Sequence, residues 1–217
     1  MKTKAALLIA CVLSFVLPVL SWIENTGGFL RLFEIHQPPG QSWYVLSRLF
    51  GLLALTAGCW QFFIGLSRRF PVRLISKITT IRTLHSVLGL VSFLLFWSHA
   101  LCFTTAVSIR KDVIAYNFLL PNLTDHYHSV ISIGWLSLIL VTIAIFARLL
   151  RVRHQDKWHR LVYAVLPIAL LHSLLVGSDT RDTMMIFYYF IVTLVWCGAV
   201  FAAFFWAKEG AKHAHSA

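Results

Sequence analysis

Charge is the first thing this 217-residue sequence has little of: only 12% of residues are Asp, Glu, Lys or Arg, about half the share in ordinary soluble domains. That deficit excludes a soluble globular chain with a solvated surface. Acidic residues number eight, and none lies inside an apolar run, which argues against an ion or proton transporter that works through intramembrane carboxylates. The four cysteines, Cys11, Cys59, Cys102 and Cys197, all sit inside apolar runs with no close pairing. They read as small buried hydrophobes, not as disulfides or a zinc site. A Gly-rich dinucleotide fingerprint is missing, and no repeat array, low-complexity segment or soluble domain is apparent.

What is there is apolar. Hydrophobic residues make up 59% of the chain and the mean hydropathy is +0.76. Runs of about twenty apolar residues are what ~30 Å of hydrocarbon demands. The expected fold is all-α, a polytopic membrane protein with a six-transmembrane-helix bundle forming a single domain over 1–217. The spans are expected at 5–23, 43–66, 84–107, 129–150, 159–177 and 184–206. A signal peptide is the rival account of the first run, and a retained span is the favoured one.

The net charge of +11 is explained by topology. With both termini inside, the inner segments carry 14 of the 19 Lys and Arg, as the positive-inside rule requires. The expected location is therefore multi-pass, in a bacterial inner membrane with both termini cytoplasmic. Membrane lipid accounts for the basic segments, and no nucleic acid is implied.

Histidine supplies the candidate chemistry, because an ionisable side chain in hydrocarbon is costly and marks function by default. His85 and His99 lie 14 residues apart on the third span, and His159 and His172 lie 13 apart on the fifth. At ~1.5 Å per residue both intervals cover about 20 Å, so His85 matches His159 in depth near the inner face and His99 matches His172 nearer the outer face. Each pair offers two axial imidazoles to one haem iron. Single histidines that merely bond a neighbouring backbone are the plainer account, and matched depth in two pairs counts against it. Helical phase is favourable for the third span, where 14 residues return to within about 40°. Thirteen residues miss by about 140° on a straight helix, so a distortion near Pro167 is expected.

His-x13-His on the third span and His-x12-His on the fifth, with Arg48-Leu-Phe-Gly51 entering span two and His159-Arg-Leu-Val-Tyr163 opening span five, resemble the ferric reductase-like transmembrane domain superfamily. That group includes NADPH oxidases, ferric reductases and the haem subunit of the periplasmic methionine sulfoxide reductase system. The resemblance covers nearly the whole chain. It implies an oxidoreductase subunit with two haem b groups between helices 3 and 5. His85 with His159 would ligate the inner iron, and His99 with His172 the outer. Arg48 would pair a propionate or polarise the acceptor, unless it is only an interfacial anchor.

Arg82, Lys157 and Arg160 are candidate inner propionate partners, although ordinary positive-inside residues look the same. Lacking a nucleotide domain, the chain is expected to draw electrons from a cytosolic flavin reductase carrying FMN or FAD, or from quinol as a membrane anchor of a periplasmic oxidoreductase. It would pass them to ferric iron, oxygen or an extracytoplasmic redox partner. A histidine-lined metal transporter without haem is the third reading. His36, His126 and His128, with Tyr127, are expected on the outer side, as metal contacts or more simply as exposed loop residues. His213 and His215 lie in the tail, with the same two readings.

Overall fold

A helix that crosses hydrocarbon satisfies its backbone internally and leaves side chains alone to decide its neighbours. The computed structural model, which describes residues 2–27, 29–33, 37–67, 81–115, 120–177, 184–194, 196–198 and 201, shows how these apolar runs do so. The helices are α1 (Lys2–Thr26), α2 (Gln41–Ser67), α3 (Ile81–Lys111), α4 (His126–Leu149), the short α5 (Gln155–His159), α6 (Val162–Val176) and α7 (Met184–Gly198), with a 3₁₀ turn at Phe29–Phe33. No strand occurs among the described residues.

Five segments are long and apolar enough to cross a membrane: Ile9–Thr26, Gln41–Gly65, Thr83–Lys111, His126–Leu149 and Gln155–Val176. They coincide with the first five expected spans. The sixth expected span, 184–206, is represented by the shorter apolar α7, and its C-terminal part lies outside the described residues. Several such helices in one chain define a multi-pass integral membrane protein. Large apolar side chains stay exposed along α1 (Ile9, Leu13, Leu20) and α3 (Val87, Leu90, Leu94), where lipid tails would cover them.

Helix α2 is the hub, and sparse polar side chains fasten the others to it. On the α1 side, the Trp22 indole N–H donates to Val45 O at 2.9 Å, and that of Trp60 to Ser14 Oγ at 2.6 Å. On the α3 side, Ser92 Oγ donates to Ala54 O at 3.2 Å, and on the α7 side Tyr188 OH donates to Thr56 Oγ1 at 3.2 Å. Helix α6 lies along α4, where Ser137 Oγ donates to Val165 O at 3.2 Å, and it meets α7 through Ser173 Oγ and Tyr189 OH, 3.0 Å apart. Between α2, α6 and α7 lies the main core, with Leu52, Leu55, Phe62, Leu166, Leu170, Met185 and Tyr189 buried.

The expected distortion of the fifth span is present, but it precedes Pro167. Helix α6 runs from Val162 to Val176 with Pro167 inside it. The break separates α5 from α6 at Arg160 and Leu161. There the N–H groups of Arg160, Leu161, Tyr163 and Ala164 bond back three residues, to Lys157, Trp158, Arg160 and Leu161. Three-residue closure is 3₁₀ winding, at about 120° per residue instead of ~100°. About five tightened residues followed by eight ordinary ones bring His172 to within about 40° of the His159 face, the same offset that separates His85 from His99.

Asp125 caps α4, accepting from the His128 N–H at 2.9 Å while its other oxygen lies 2.6 Å from His128 Nδ1. The backbone N–H and the imidazole of His128 together hold its carboxyl below the usual carboxylate range. A depressed folded value means that the cap contributes fully above the unfolded pKa of 3.8 and is lost as pH falls through the lower folded one. Hydrogen exchange should show the His128 amide protected at pH 5 and opening only well below pH 4, with Asp125→Ala exposing it at both.

Candidate functional site

The four histidines converge as two pairs. The ring centres of His85 and His159 are 6.2 Å apart with planes at 78°, and those of His99 and His172 are 6.4 Å apart with planes at 75°. Imidazole-to-metal bonds of about 2.0–2.1 Å would let one metal ion fit between the two rings of each pair. Along α3 the pairs are separated by 14 residues, about 21 Å. His85 with His159 lies at the end of the bundle that carries Arg148, Arg151, Arg153, Lys157 and Arg160; His99 with His172 lies toward the other.

Orientation is best defined in the second pair. His99 Nδ1 lies 2.8 Å from Ser47 O, and His172 Nδ1 lies 2.8 Å from Val130 O. A carbonyl only accepts, so each Nδ1 carries its proton and each Nε2 keeps a lone pair. A backbone carbonyl on the far nitrogen is the arrangement that orients metal-ligating histidines. His99 and His172 line a partly open cavity between α2, α3, α4 and α6, and Arg48 and Tyr44 stand on its wall. The Trp135 indole N–H, also on that wall, is buried without a hydrogen-bond partner, so a donor is left for whatever fills the space.

At the basic end, Gln61 Nε2 lies 3.2 Å from His85 Nε2. His159 Nδ1 is buried toward the Ala144 carbonyl, without a hydrogen bond of ordinary geometry.

Glycines make room for three of the rings, a feature that sequence reading missed. A Cβ on Gly51 would come within 2.9 Å of His99 Nδ1, one on Gly65 within 3.1 Å of His85 Cε1, and one on Gly134 within 2.7 Å of His172 Cε1. Gly51 and Gly65 are 14 residues apart on α2, matching His99 and His85 on the antiparallel α3. That shared interval is the signal that could have found them.

The remaining expected site residues divide. The Arg48 guanidinium carbon lies 5.9 Å from the Tyr44 ring centre, with that of Arg110 at 5.4 Å, and Arg48 lines the cavity beside His99 and His172. Lys157 and Arg160 are exposed, and the side chain of Arg82 lies outside the described residues. His126 and His128 form the first turn of α4 instead of a loop, and His128 is engaged by Asp125. Among the described residues no group of three or more His, Cys, Asp or Glu gathers at one point. His36, His213 and His215 lie outside the described residues. No protein-family model, curated protein or solved structure matches the chain.

The glycine seats make a direct prediction. Gly134→Ala should lower stability by about 1–3 kcal/mol through overpacking against His172. Gly198→Ala, with nothing within 4 Å of the added carbon, should be neutral or slightly stabilising. Thermal unfolding in detergent followed by tryptophan fluorescence compares the two.

Proposed function

We propose that the chain is a di-haem b transmembrane electron-transfer subunit of the ferric reductase-like type, with α7 beginning a sixth span and both termini on the cytoplasmic side. The observation that carries this reading is the pair of imidazole clamps, 6.2 and 6.4 Å across, stacked about 21 Å apart through the bundle. His85 with His159 would hold one haem iron, and His99 with His172 the other. Bound at the two clamps, haem would supply a one-electron carrier near each face of the membrane.

The protein's own groups fit that role. Ser47 O and Val130 O fix the tautomers of His99 and His172, so both lone pairs are ready without a proton having to leave. The bare α-carbons of Gly51, Gly65 and Gly134 let the rings lie against the helices. Arg48 and the Trp135 N–H offer a cation and a donor to the carboxylates or the acceptor at the outer clamp. Electrons would come from a cytosolic flavin reductase carrying FMN or FAD and leave to ferric iron, oxygen or a periplasmic reductase.

Quinol as donor is the second reading. It is favoured by an apolar groove among α1, α2, α6 and α7, lined by Cys59, Trp60, Phe62, Tyr188 and Trp196, in which the Trp196 indole N–H is buried without a hydrogen-bond partner.

The purified protein should show a Soret band that sharpens, with α and β bands, on dithionite reduction, at two haems per chain. His99→Ala or His172→Ala should each leave one haem, as should His85→Ala or His159→Ala, with different residual spectra. A colourless preparation would sink the reading and favour a haem-free metal transporter.

A further inference from the structure

The two clamps follow one plan, and at the α3 histidine they differ in which ring nitrogen α2 meets. Ser47 and Gln61 stand 14 residues apart on α2, and each meets the α3 histidine at its level. At the Ser47 level, the contact is from a carbonyl to Nδ1 of His99, which leaves the ligand nitrogen open. At the Gln61 level, the contact is from the side-chain amide nitrogen to Nε2 of His85. An amide nitrogen only donates, so Gln61 donates into the Nε2 lone pair, the electrons a metal would take.

The surroundings leave room for Gln61 there. A Cβ on Gly89 would come within 2.8 Å of Gln61 Nε2, so a bare α-carbon makes space for the amide. Its Oε1 is buried without a hydrogen-bond partner. A half-satisfied amide in an apolar interior is costly, and an aliphatic side chain of similar length would avoid the cost.

We infer that Gln61 is a positioning residue that masks the His85 lone pair and so makes the basic-end clamp the harder of the two to load. The inference rests on the haem reading. Loading His85 and His159 requires the amide to let go of Nε2, whereas among the described residues neither His99 nor His172 shows such a contact at Nε2. The prosthetic group therefore enters the His99–His172 clamp first, and Gln61 sets the concentration at which the second site fills.

The test is a haem titration of apo-protein in detergent, followed at the Soret band, for wild type, Gln61→Leu and Gln61→Asn. His85→Ala and His99→Ala assign the two phases. Wild type should fill in two steps, the weaker one missing in His85→Ala. Gln61→Leu should tighten that step about fivefold, the worth of one ordinary hydrogen bond, and leave the other unchanged. Gln61→Asn, too short to reach Nε2, should behave as the leucine variant does, which guards against a packing artefact. In ¹⁵N-histidine spectra of the apo-protein, Gln61→Leu should move the His85 Nε2 resonance and leave that of His99.

Two equal steps in wild type, or a weaker step untouched by both variants, overturn the masking role while the di-haem reading stands. No haem at either clamp in any variant overturns both. Loss of the weaker step in Gln61→Leu and Gln61→Asn would also overturn the inference, because Gln61 would then be a required support for the site.

Discussion

An imidazole N–H buried at membrane depth is costly without an acceptor, and in a bundle of helices the acceptors within reach are carbonyls already engaged along their own helix. The two best-defined histidines meet this constraint by approaching a neighbouring backbone until its carbonyl can take a second hydrogen: Ser47 for His99, Val130 for His172. Such an approach is open only where the facing helix has no side chain in the way. The carbonyl contacts and the glycine seats are thus one requirement seen from two sides. Gly51 lies one turn from Ser47, and Gly134 one turn from Val130.

The same constraint gives the bundle a period. On α2, Ser47 and Gly51 recur 14 residues later as Gln61 and Gly65. On α3, His85 and His99 keep that interval, with Ser92 midway and bonded to Ala54 O. On α4, the Val130 carbonyl is echoed by that of Ala144 beside His159. Fourteen residues are close to four whole helical turns, so each helix presents the same face at two depths. Two sites of one design result, and differences between them fall on single side chains such as Gln61.

Much of this was legible in the sequence. Apolar runs with basic residues at alternate ends locate the membrane helices, and four histidines at matched depth announce the pairs, because ionisable groups in hydrocarbon are rare enough to be noticed singly. Partners that act through the backbone were not legible: Ser47 and Val130 contribute a carbonyl that any residue has. Pro167 drew the expected distortion to itself because proline is a visible breaker. The rewinding lies in the turn before it, at Arg160 to Ala164, a stretch that includes Tyr163, whose carbonyl a proline four residues on cannot satisfy. Gln61 was open to detection as a lone amide in an apolar run, at the 14-residue interval from Ser47.

The tightened stretch between α5 and α6 also has a consequence in length. A 3₁₀ turn rises about 2.0 Å per residue where an α-helix rises about 1.5 Å. Thirteen residues, about five of them tightened, thus span about 22 Å, against about 21 Å for the fourteen α-helical residues from His85 to His99. One residue fewer covers nearly the same height, so the two histidines of the broken span are as far apart along the bundle as the two of α3.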